Sequence, residues 1–168
     1  MNTNIRLLVL TLFLAPVGWA QSPGQVVKAT VTMGEQVTRP KPLVRASVQA
    51  EVLAGYHIND RHPSLDYLIP TEIKLEGSKQ VADVNVIYPK GVPRKFAFSD
   101  APLSVYEGAV QFEVAMELAP GTLPGSYEVK GQLGYQACND HACLPPANVP
   151  LTFSFKVARR VPATRRAQ

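Results

Sequence analysis

The chain has 168 residues, room for one domain. Its formal charge of +4 overstates its basicity, because Arg159, Arg160, Arg165 and Arg166 lie in the last ten residues and Arg6 near the start. That leaves 12 of the 17 Lys and Arg against 13 Asp and Glu. A near-neutral body with no basic, aromatic-lined face excludes a nucleic-acid-binding domain, and the Arg-rich end reads as a solvated tail rather than a contact with acidic lipid or a partner.

Residues 1–20 carry the marks of an export signal. Arg6 supplies a small positive start, and Leu7–Leu14 (LLVLTLFL) is an apolar run too short to span a bilayer. Gly18-Trp19-Ala20 sets small residues where a signal peptidase reads. Cleavage is expected after Ala20, with an uncleaved anchor as the alternative. No later stretch is apolar for long enough to cross a membrane. The mature chain is expected to be soluble and periplasmic or secreted. In such an oxidising compartment the only two cysteines, Cys138 and Cys143, are expected to meet as a disulfide.

Residues 21–42 read as a flexible leader followed by a first strand at Val26–Met33, with a break at Thr38–Pro42 (TRPKP). In Leu43–Ala54, Val44, Ala46, Val48, Ala50 and Val52 alternate with Arg45, Ser47, Gln49 and Glu51. Period two over that length predicts a strand with one buried face. Gly55–Asn59 (GYHIN) and a polar loop follow. Tyr67–Glu76 resumes the pattern, with Pro70 expected near an end because it cannot donate to a ladder. Val81–Tyr88 is a further short strand, and Val92–Asp100 carries Phe96 and Phe98. Leu103–Glu107 leads into Ala109–Leu118, where Val110, Phe112, Val114, Met116 and Leu118 alternate with Gln111, Glu113 and Glu117. Gly125–Ala137 places Tyr127, Val129, Leu133 and Tyr135 on one face, and Val149–Val157 closes the chain with Leu151, Phe153 and Phe155 inward. Many short strands, regular turns and no convincing helix predict an all-β fold, an immunoglobulin-like antiparallel β-sandwich. The expected folded domain is 43–157, and 158–168 is an Arg-rich disordered tail.

Tyr135–Pro146 (YQACNDHACLPP) is the stretch with chemistry in it. Three readings compete. A structural disulfide would close a loop of about six residues and contribute roughly 2 kcal/mol, without stapling two sheets together. A metal site would use Cys138, His141 and Cys143, but no fourth ligand is evident. A redox-active pair needs a reachable sulfur and a second thiol close enough to resolve a mixed disulfide, and a local C-x4-C supplies both. Within this loop His141, if protonated, favours a thiolate and Asp140 opposes it.

The same segment resembles the active-site segment of the N-terminal periplasmic domain of DsbD, the thiol:disulfide interchange protein. Gly55–Asn59 (GYHIN), Leu68–Thr71 (LIPT), Tyr88–Gly91 (YPKG) and Val105–Gly108 (VYEG) fall in that family's order, so the similarity covers roughly Leu43–Val157. The resemblance implies an immunoglobulin-like fold and a domain that takes electrons from a thioredoxin-like domain and passes them to periplasmic isomerases and cytochrome-maturation thioredoxins. It makes Cys138 and Cys143 the redox pair, with one residue fewer between them than in the enterobacterial members. Phe96–Asp100 falls where the family has a cap loop over the disulfide. Phe96 or Phe98 is then the covering ring, although both also have the period of core strand residues. His57 and Asn59 fall where the best-known members place tyrosines near the cysteines. With Asp140 and His141 they are candidate modulators.

DsbD continues into a membrane domain and a thioredoxin-like domain, whereas this sequence runs into the Arg-rich tail. The expectation is a stand-alone exported thiol–disulfide carrier, supplied by a separate membrane electron donor and needing no cofactor or metal. Cys138 is the expected partner-facing sulfur, because it directly follows a strand. The alternative is an exported binding or assembly module with an inert disulfide.

Overall fold

The computed structural model describes residues 25–37, 42–96 and 99–158. The expected export signal, Phe98 and the Arg-rich tail from Arg159 lie outside them. The described residues form eleven strands and no helix: β1 (Val27–Val37), β2 (Leu43–Val52), β3 (His57–Asn59), β4 (Glu72–Leu75), β5 (Val81–Ile87), β6 (Val92–Arg94), β7 (Leu103–Tyr106), β8 (Ala109–Leu118), β9 (Gly125–Tyr135), β10 (Ala137–Cys138) and β11 (Ala147–Val157). All pairings are antiparallel.

The strands with the cleanest alternation form the centre. β2 and β8 pair along nearly their whole length, with Val48 opposite Phe112 and Ala46 opposite Val114. β1 and β5 flank them, giving the order β1-β2-β8-β5. A second sheet, β11-β9-β4, covers the apolar face of the first. Val44, Val48, Phe112, Val114 and Met116 from the first sheet and Val129, Leu133, Leu151 and Phe153 from the second are buried in one cluster. Fully burying a side chain of this size contributes about 1.5–3 kcal/mol, so the sandwich is held by its own core. The chain is an all-β, immunoglobulin-like antiparallel sandwich, as its sequence pattern implies.

A smaller sheet, β10-β3-β7-β6, carries the site. It is fed by strands leaving the two main sheets. β2 ends at Val52, and the chain turns through Gly55, whose φ of +84° suits glycine, before entering β3. β9 ends at Tyr135, and after the single residue Gln136 the chain is already in β10. A second, smaller apolar cluster of Leu68, Phe96, Leu103 and Val105 packs at this end.

The Tyr67–Glu76 pattern yields a strand only over Glu72–Leu75. Upstream, the Leu68 amide donates to Leu65 O in a turn, and Leu68 is drawn into the smaller cluster. Pro70 lies outside the strand, where its missing amide costs no ladder bond.

Candidate functional site

Cys138 is the last residue of β10, and the register sets it directly opposite His57 of β3. The chain then reverses in a tight turn. The Asn139 amide donates to Ala142 O at 3.0 Å, and Asn139 Oδ1 accepts from the amides of His141 and Ala142, both at 2.9 Å. Asn suits this position because its short side chain reaches the backbone two and three residues on. The Leu144 amide returns to Ala137 O at 2.8 Å. These bonds bring Cys138 and Cys143 face to face with their Cα atoms 3.9 Å apart, and the two sulfurs are bonded.

The two cysteines sit in different surroundings. Cys138 is 1% exposed, whereas Cys143 is on the surface. The position on a strand that suggested a partner-facing Cys138 is what buries it, since β10 packs against β3. The reachable residue is Cys143, in the returning leg of the turn.

His57 is 3% exposed, and its ring stacks on Phe96, 4.0 Å between centroids and 22° from parallel. Burial pushes its pKa below the ordinary 6.5, against the upward pull of the Glu107 carboxylate and then of Asp140. Its Nε2 is buried and makes no hydrogen bond among the described residues. Phe96 is 8% exposed and joins the cluster of Leu68, Leu103 and Val105. The structure thus places one ring of the expected cap segment against the strand neighbour of Cys138. Phe98, the other candidate ring, lies outside the described residues.

Asn59 is buried, but its side chain is engaged elsewhere. Its Nδ2 donates to Ile69 O at 2.9 Å, and its carbonyl accepts from Thr71 Oγ1 at 2.5 Å. It positions the Ile69–Thr71 segment. Asp140 and His141 are exposed at the tip of the turn. Among the described residues, no group of three or more His, Cys, Asp and Glu is arranged to hold a metal ion.

Two features beside the disulfide had no clear sequence signal. Gln136, at the switch between sheets, donates through Nε2 to Leu144 O at 3.3 Å and accepts a long bond of 3.5 Å from the Ile69 amide, tying both flanks of the turn together. Next to it, a hollow of about 560 Å³ is lined by Val26, Tyr135, Ala137, Leu144, Pro145 and Pro146. The Pro-Pro pair hinted at a chain break here, but not that the break borders an apolar recess.

The family model for the N-terminal part of thiol:disulfide interchange protein DsbD matches residues 25–153. The chain belongs to the DsbD N-terminal domain family. The family match takes in β1 as well as the cysteine turn. Among solved structures, the N-terminal periplasmic domain of ScsB from Proteus mirabilis is similar with a TM-score of 0.58 at 17% identity, over 80% of this chain and 49% of that one. The chain therefore spans about half the length of that ScsB structure, and the likeness is one of fold. The reduced N-terminal domain of DsbD from Neisseria meningitidis matches with a TM-score of 0.42 at 17% identity, over 74% of this chain and 86% of that one. No curated protein matches. No helix of the described residues is long and apolar enough to cross a membrane.

Proposed function

We propose that this member of the DsbD N-terminal family is an exported thiol–disulfide exchange protein. It relays reducing equivalents through Cys138 and Cys143 to or from thioredoxin-like partners. The observation that carries this reading is the unequal exposure of one bonded pair, Cys143 at the surface and Cys138 sealed. Exchange needs one sulfur that a partner can reach and a second held beside it to finish the reaction.

In the electron-donating direction, the Cys143 thiolate attacks one sulfur of the partner's disulfide, and the partner's other sulfur leaves as a thiolate. Cys138 then attacks Cys143 Sγ. The mixed disulfide breaks, the partner's remaining sulfur leaves with the electron pair, and the Cys138–Cys143 bond forms. Two electrons have passed to the partner. Run backwards, the same steps reload the pair. The recess bordered by Leu144, Pro145 and Pro146, which follow Cys143 in the chain, is where the partner's chain rests on this reading. Phe96, stacked on His57, and the segment through Phe98 serve on this reading as the cap that a partner displaces.

On this reading residues 1–20 are a cleaved export signal, 21–42 a leader with the first strand, 43–157 the exchange domain and 158–168 a solvated tail. The site of action is the periplasm or the exterior, with a membrane electron carrier as the donor.

The reduction potential of the Cys138–Cys143 pair tests the proposal. Known exchange proteins lie between about −120 and −270 mV. A value in that range supports the carrier. A value below about −300 mV would place the bond with inert structural disulfides and favour a binding or assembly module instead.

A further inference from the structure

We infer that His57 accepts the proton of Cys138 when the pair re-forms its disulfide. The inference rests on the exchange reading above and concerns its second step. The geometry behind it is the register that sets His57 opposite Cys138, together with the sealed, unpartnered Nε2 of that histidine.

Only a thiolate attacks a disulfide, so Cys138 must lose its proton before it can displace the partner from Cys143. At 1% exposure it has no direct route to bulk water. Residues directly opposite on antiparallel strands carry their side chains on the same face, with Cβ atoms about 4.5–5.5 Å apart. A buried polar atom with no partner carries a desolvation cost that the fold ordinarily avoids. A nitrogen left so on the residue paired with a cysteine that must deprotonate has a use once the disulfide opens.

The surroundings suit a base rather than a fixed cation. Phe96 covers the imidazole face and keeps water away. Burial holds the ring neutral, which leaves it able to accept. The charged groups acting on it are Glu107, just after β7, and Asp140 in the cysteine turn, and both favour the imidazolium once formed. Glu107 is itself paired with Arg94 at 2.7 Å.

The step balances without another reactant. The Cys138 S–H proton moves to His57. The Cys138 thiolate attacks Cys143 Sγ, and the S–S bond to the partner breaks as the Cys138–Cys143 bond forms. The partner's sulfur leaves with the electron pair and takes up a proton, directly or through water, from the imidazolium.

Reduced protein mixed with a limiting amount of the aromatic disulfide 5,5′-dithiobis(2-nitrobenzoate) separates the two steps. A first coloured thiolate is released on attack by Cys143, and a second when Cys138 displaces the probe. Followed by stopped flow from pH 5 to 9, the second release in the wild-type protein should rise through a pKa below 6.5 and then level off. In His57→Gln it should rise only with the titration of the buried thiol itself, at higher pH than in the wild-type protein. At pH 7 it should be slower on the order of 10²-fold, the usual contribution of a positioned base. A second-release profile shared by both proteins overturns the inference. So does a wild-type profile that rises only with the thiol, a result that does not depend on the variant folding. Failure of the first release in the wild-type protein would remove the exchange reading itself, and this inference with it.

Discussion

The ring of Phe96 lies 4.0 Å from that of His57, centroid to centroid, and His57 is the residue paired with Cys138 across the small sheet. Phe96→Leu keeps apolar bulk against Leu68, Leu103 and Val105 but removes the flat cover. Water then reaches the imidazole, and the His57 pKa should move up toward 6.5, read by NMR titration of the ring protons. Reduction of the disulfide by dithiothreitol should also become faster. An unchanged titration would show that Phe96 does not shield His57.

The cysteines should behave differently when replaced singly. Cys138→Ser leaves the exposed Cys143 to attack and no second thiol to resolve, so a mixed disulfide with a thioredoxin-like partner should accumulate. Cys143→Ser leaves only the buried sulfur and should trap little. Mass spectrometry of the trapped species reads both. Equal trapping by the two variants would mean that burial does not select the attacking sulfur.

Stability should depend on pH at both ends of the range. His57 has a folded pKa below 6.5, so between that value and 6.5 the unfolded chain holds a proton that the folded chain lacks. Stability therefore falls as pH drops below 6.5 and is fully present above it. Tyr106 is pushed from 10.0 up to about 12, chiefly by burial. Its contribution is complete below pH 10 and is lost as pH rises toward 12. Urea midpoints measured across pH should show both slopes. His57→Phe should flatten the acid one. Tyr106→Phe should reduce the alkaline one, to which Tyr88 and Tyr135, also raised by burial, contribute, with a cost near about 1 kcal/mol for the lost hydrogen bond to Pro89 O. An acid slope that survives in His57→Phe would assign it to another group.

Gly91 is fixed by contact rather than by backbone angle. A Cβ there would come within 2.5 Å of Ser104 Oγ and 2.8 Å of Asp60 Oδ2. Those two atoms hydrogen-bond at 2.6 Å, and the other Asp60 oxygen accepts from the His62 amide at 2.6 Å. Gly91→Ala should cost about 1–3 kcal/mol, the usual range for overpacking, seen as a lower urea midpoint with the slope unchanged. A neutral result would mean that the Asp60–Ser104 pair can shift aside freely.

The main sheets were legible because one face of each is wet. The apolar residues from Val44 to Val52 alternate with polar ones, and those from Phe112 to Leu118 with Glu113, Ala115 and Glu117, so period two appears in the sequence and in the burial alike. β3 gave no such signal. His57, Ile58 and Asn59 are all buried, two of them polar, and only their contacts make them a strand. The cysteine turn was visible in its spacing and its Pro-Pro ending. Which sulfur faces outward was not, because that depends on β10 pairing with β3, a contact between residues some eighty positions apart. Of the segment expected to cap the pair, Phe96 packs on His57, a pairing no local pattern encodes.

The turn between Ala137 and Leu144 is closed by amides as well as by sulfur. Cutting the sulfur bridge removes one tie from a hairpin that keeps its own hydrogen bonds and the anchor of Asn139. On the exchange reading, these bonds would keep the freed thiols neighbours, so that closing the bridge again would need no repeat of the loop-closure search and would leave the sandwich beneath untouched.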